Sequence, residues 1–136
     1  MKGLEEIRAG DGALVAIIVR RDFRKEGCNF LTKEDFPLQM GINSYPKGER
    51  IKAHFHLKKS VLIEVLQELL LIRVGKVIVN LYDSKSAFLE SVTLESGDLI
   101  FFAGGGHGLE ICEDTTFLEI KQGPYIGREK DKVSIE

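Results

Sequence analysis

Three histidines stand in the whole chain, and two of them are separated by a single residue: His54, Phe55, His56. On an extended strand that spacing puts both imidazoles on one face, a few ångströms apart. Two neutral imidazoles converging from one strand suit a borderline divalent metal ion. The third, His107, stands in the turn Gly104-Gly105-Gly106-His107-Gly108, where glycine lets the backbone approach a ligand closely. The competing reading makes His54 and His56 ordinary exposed polar residues on a half-buried strand.

The elements that must position these side chains read as strands. Glycines punctuate the chain, and short segments rich in β-branched and aromatic residues lie between them. The pattern predicts strands over Ala13–Arg20, Gln39–Tyr45, Arg50–His56, Leu70–Val74, Lys76–Tyr82, Leu89–Leu94, Leu99–Ala103, Gly108–Ile111 and Thr116–Lys121. Lys76–Tyr82 alternates most cleanly, with Val77, Val79 and Leu81 on one face. Asp83–Ala87 and Glu95-Ser96-Gly97-Asp98 read as polar turns. The spacing predicts an all-β sandwich or barrel. One stretch is ambiguous. Leu62, Val65, Leu66, Leu69 and Leu70 fall at helical spacing behind Ser60, a good N-cap, yet the part from Glu68 onward equally fits a buried strand ending at Gly75.

Composition narrows the function classes. With 136 residues the chain is expected to form one domain over 1–136. Hydrophobic residues make up 43% and charged residues 29%, an ordinary globular balance that argues against disorder. A net charge of −2 with both signs interspersed offers no footprint for nucleic acid or anionic lipid. No apolar run approaches the roughly 18–20 residues of a membrane span. The apolar run Ala13–Val19 follows acidic residues and precedes Arg20 and Arg21, the reverse of a signal peptide. A cytoplasmic location is expected. Cys28 and Cys112 form no CxxC and are read as free thiols.

The wider spacing resembles the two signature motifs of the cupin superfamily. Gly48, His54, His56, Glu68 and Gly75 match the fixed parts of the first, G(X)5HXH followed by E(X)6G. Gly97, Gly105 and His107 match the second, G(X)5PXG(X)2H(X)3N, more loosely: Ala103 replaces its proline, His107 comes one residue early, and Ile111 replaces its asparagine. The gap from His56 to Glu68 is also longer than the motif carries. Gly104–Glu110 and Glu119–Tyr125 resemble a branch of small single-domain cupins described as cupin-fold metalloproteins of uncharacterised activity. The resemblance implies a jelly-roll-like double-stranded β-helix barrel. It places Glu68 on a strand and implies that His54, His56, Glu68 and His107 hold one divalent transition metal: Fe, Mn, Ni, Co or Zn. Such a mixed N/O set, if six-coordinate, leaves positions open for water, substrate or O₂. Gln67 rivals Glu68 for the fourth place. Alternation points only one of them inward, and both the stronger ligand chemistry of a carboxylate and the motif spacing favour Glu68.

Other residues gain meaning in that frame. Arg50 and Lys52 share strand parity with the histidine pair; inward they would bind an anionic substrate, and outward they reach solvent. Glu119 and Lys121 alternate together; inward they form an ion pair able to do acid–base work, and outward an ordinary cross-strand pair. Tyr125 could cap the mouth of the barrel or pack at its edge. Asn80 and Tyr82 are weaker candidates. Phe55, Phe101, Phe102 and Phe117 read as core or interface residues.

Three functions are compatible with this. The first is a metal-dependent enzyme acting on a small anionic or sugar-like molecule. The second is a non-catalytic module that binds a small molecule. The third is a metal-free sugar-nucleotide epimerase-like cupin whose histidines act as acid and base, which requires a histidine paired with a carboxylate. A fold of this kind does not select among them. A homodimer is expected, with Leu14–Val19 as its swapped or edge-pairing strand.

Overall fold

The computed structural model describes all 136 residues. Strand accounts for 42% of them and helix for 3%. The ten strands are β1 (Leu4–Arg8), β2 (Leu14–Val19), β3 (Gly27–Phe30), β4 (Gly41–Ser44), β5 (Glu68–Val74), β6 (Lys76–Tyr82), β7 (Phe88–Glu95), β8 (Leu99–Phe102), β9 (Gly106–Ile111) and β10 (Thr116–Lys121). One helical turn, α1 (Arg128–Asp131), follows. The chain forms two compact units. Met1–Phe23 with Leu66–Glu136 make one, and Arg24–Val65 make the other.

In the first unit all pairing is antiparallel. Five strands run β1-β2-β8-β5-β10, and three run β7-β6-β9. The two sheets do not close into a barrel. They share one core. Val15, Ile18, Leu70, Ile72, Ile100 and Phe102 come from the larger sheet, and Val77, Val79, Leu81, Val92 and Leu94 from the smaller. The β6 pattern emerges as predicted: Val77, Val79 and Leu81 are fully buried and the residues between them half-buried. In the second unit β3 and β4 form an antiparallel hairpin.

The structure departs from the sequence reading in several places, the strands Leu4–Arg8 and Gly27–Phe30 among them. Arg50–His56 is not a strand; residues 51 to 64 carry no regular structure and are exposed. Its alternation supplies only Ile51 and Phe55 as large apolar residues, and no neighbouring strand provides a ladder, without which a strand is not stable. In the ambiguous stretch Ser60–Leu71 the strand alternative holds and the helix does not. From Glu68 the chain is strand, with β8 on one side and β10 on the other. Cross-strand bonding and burial outweigh helical spacing there. Finally, Leu14–Val19 is no edge. It lies between β1 and β8, both of its ladder sides used. The strand outside it, Leu4–Arg8, was hidden by its composition, since only Ile7 of its five residues is buried. That is the character of an edge.

The turn before β8 is held by one side chain. Asp98 is 6% exposed. It accepts the backbone N–H of Arg21 at 3.0 Å and of Glu95 at 2.9 Å, and a bond from Arg20 Nη1 at 3.2 Å. Asp98→Ala leaves these donors without their partner. It is expected to lower stability by about 2–3 kcal/mol in urea unfolding, while Asp98→Asn loses less.

Candidate functional site

The inward face of the larger sheet is apolar through Ile72 and Leu70 and then turns polar at Glu68. The register carries this across three strands. Glu68 stands opposite Phe102 on β8 and opposite Lys121 on β10, and Glu119 stands opposite Leu70. From the smaller sheet, His107 on β9 stands opposite the buried Leu81. Glu68, Leu70, Phe102, His107, Glu119 and Lys121 line a cavity of about 1230 Å³ within the first unit.

At its floor Glu68 Oε1 lies 3.8 Å from His107 Nε2. The imidazole stacks on the Phe102 ring, with centroids 3.7 Å apart and planes 6° from parallel. Burial pushes the Glu68 carboxyl up to about 7, helped by the adjoining Glu119 carboxyl and opposed by Lys121 and Lys132. Burial also holds His107 below the usual imidazole range; Glu119 works against this and Lys132 with it. Both shifts favour the neutral forms. Despite its ion-pair spacing, burial acts on this couple against the charged form of each partner. Such a couple can donate and accept a proton, or, once the carboxyl is ionised, present one oxygen and one nitrogen ligand.

Lys121 and Glu119 do not pair with each other. Residues two apart on a strand stand roughly 7 Å apart, and each meets a nearer group. Lys121 Nζ reaches Asp131 Oδ2 at 3.0 Å, which raises its pKa, and Glu119 meets Glu68. Gln67 is not on the cavity lining. It is 1% exposed, donates from Nε2 to the Ala103 carbonyl at 3.1 Å, and its N–H donates to Gln122 Oε1 at 2.8 Å. Alternation has thus given the cavity Glu68.

His54 and His56 belong to the second unit, in its exposed segment. Their rings remain neighbours, with centroids 5.1 Å apart. His54 Nδ1 lies 2.7 Å from the Lys52 carbonyl, an acceptor, so Nδ1 carries the proton and Nε2 is the atom left with a lone pair. Arg50 and Lys52 are exposed in the same segment. Tyr125 is 68% exposed beside Lys121, whose Nζ is 5.7 Å from the ring centroid. Asn80 and Tyr82 line the cavity, with Asn80 donating to Glu110 at 2.9 Å. No three His, Cys, Asp or Glu side chains gather closely enough to hold a metal ion.

The four glycines of the motif spacing all take positive φ: Gly48 at 92°, Gly75 at 115°, Gly97 at 90° and Gly105 at 68°. At Gly105, beside the cavity, a Cβ would collide with the Tyr82 carbonyl oxygen. Sequence reasoning missed Arg128, Asp131 and Lys132, which line the cavity from the C-terminal segment. They follow a Gly-Pro break in a polar stretch, and nothing in their spacing marks them. Neither a family model, nor a curated protein, nor a solved structure matches the chain.

Proposed function

We propose that this chain is a metal-dependent enzyme of cupin type, with the double-stranded β-helix as its fold, acting on a small anionic or sugar-like molecule in the cavity of the first unit. The observation that carries it is the meeting of Glu68 and His107. Separate motifs single them out 39 positions apart in sequence, and they come within 3.8 Å at the cavity floor. His54 and His56 enter the reading through the motif spacing alone, as a pair whose rings are neighbours within their own unit. Three imidazoles and a carboxylate fit a first-row divalent ion, which when bound supplies Lewis-acid or redox chemistry. Glu68 must give up its proton to ligate, and Phe102 fixes the His107 ring plane. Cys28 and Cys112 are exposed free thiols, which supports placing the protein in the cytoplasm. No helix is long and apolar enough to cross a membrane. A homodimer is retained in the proposal, to be checked by light scattering.

The test is elemental analysis of untagged protein. About one metal per chain is expected in wild type. The His54→Ala/His56→Ala protein is expected to hold none. Wild type without metal after gentle purification would overturn the reading. It would leave the second one, favoured by the same geometry: a metal-free site in which Glu68 and His107 act as acid and base. There the double variant retains full function and Glu68→Gln does not.

A further inference from the structure

Three of the carboxylates lining the cavity are already engaged. Asp83 Oδ1 accepts the N–H groups of Lys85 and Ala87, each at 2.9 Å. Glu110 accepts from Asn80, and Asp131 pairs with Lys121. Of the others, Glu68 and Glu119 hold the floor and Glu136 lies on the C-terminal segment. Two cations on the same lining, Arg128 and Lys132, enter no ion pair.

Their placement has a structural cause. The Lys132 N–H donates to the Arg128 carbonyl at 3.2 Å, closing one turn, so the two residues stand four apart across it. The Lys121–Asp131 bond, 3.0 Å long, ties that turn to β10.

We propose that Arg128 and Lys132 form the oxyanion clamp of this cavity: they hold the carboxylate or phosphate of a small molecule whose hydroxyl or carbonyl oxygen faces Glu68 and His107. The guanidinium offers two parallel donors to a planar oxyanion and the ammonium a point charge. The inference rests on reading the cavity as the ligand site. It moves the anion-binding role from Arg50 and Lys52, which lie in the other unit, to the segment after β10.

The test is calorimetric titration of the full chain, stripped of divalent ions by chelator, with inorganic phosphate and separately with glycolate. The tighter of the two identifies the oxyanion. Saturable binding to wild type is expected, weakened about tenfold or more in Arg128→Gln/Lys132→Gln. Lys130→Gln, on the same turn but off the cavity lining, is expected to bind as wild type does. Lys132→Gln alone should show an intermediate loss if the double variant melts early. Absence of saturable binding of both anions to wild type, unchanged binding by the double variant, or an equal loss in Lys130→Gln would each overturn the clamp. Metal content separates this from the ligand-set reading. Neither side chain ligates a metal in its charged form, so the double variant keeps the metal content of wild type whichever way the titration falls.

Discussion

Glu68→Gln is expected to make the chelated protein more stable than wild type near neutral pH and above, and, on the proposed reading of the site, to abolish metal binding. The folded protein holds the Glu68 carboxyl at about 7 against an ordinary value of 4.5, with burial as the main cause and Glu119 as the second. Between those values the folded state keeps a proton that the unfolded chain releases. Stability therefore falls as pH rises through that window; the contribution is intact below about 4.5 and gone above about 7. Glutamine keeps the shape and never ionises. The variant's advantage should thus be near zero around pH 4 and grow to the order of 1–3 kcal/mol around pH 8. Urea unfolding of both proteins with chelator present, at several pH values, measures it. A variant that is less stable throughout, with a pH profile parallel to wild type, would show that the carboxylate is not under strain in the folded state. A residue whose removal strengthens the fold while abolishing ligation is kept for chemistry, not for stability.

Gly75→Ala is expected to cost roughly 2–4 kcal/mol, from backbone strain and displaced neighbours together. Gly75 joins β5 to β6 at a φ of 115°, where an L side chain is strained whatever the space. There is also no space: a Cβ there would run into Thr115 Oγ1, the Asp114 carbonyl oxygen and Thr115 Cα, mostly backbone that cannot swing aside. Thr115 cannot yield cheaply, since its Oγ1 accepts the Lys76 N–H at 3.2 Å. The strand pair that carries Glu68 would shift, so the melting temperature should fall. Gly10→Ala is the control. Nothing lies within 4 Å of a Cβ there and its φ is not positive, so the change should stay within about 0.5 kcal/mol. Equal effects at the two positions would mean that the glycine spacing of the motif has no conformational basis here.

Much of the molecule was legible because its signals are local. The β6 alternation predicts Lys76–Tyr82 with its buried face, and both are observed. Thr116–Lys121 likewise has its predicted bounds, and most of the other strands differ by one or two residues at their ends. Glu68 and His107 were singled out by spacing and indeed meet. What failed was what depends on partners distant in sequence. The alternation of Arg50–His56 is as regular as that of β6, but β6 has β7 and β9 beside it and Arg50–His56 has no ladder. The leucines after Glu68 fit helix and strand alike by spacing, and β8 and β10 on either side decide for strand. Lys121 reads as the partner of Glu119, yet the turn at Arg128–Asp131 supplies a closer carboxylate. By itself, then, the sequence determined the β-class, the faces of its most regular strands and the residue types able to bind a metal, because periodicity and ligand chemistry belong to the residues themselves. Tertiary structure alone decided which segments become strands, which cations reach the cavity and which carboxyl has its pKa raised, because hydrogen-bond ladders, ion pairs and desolvation are set by neighbours that the chain brings from elsewhere.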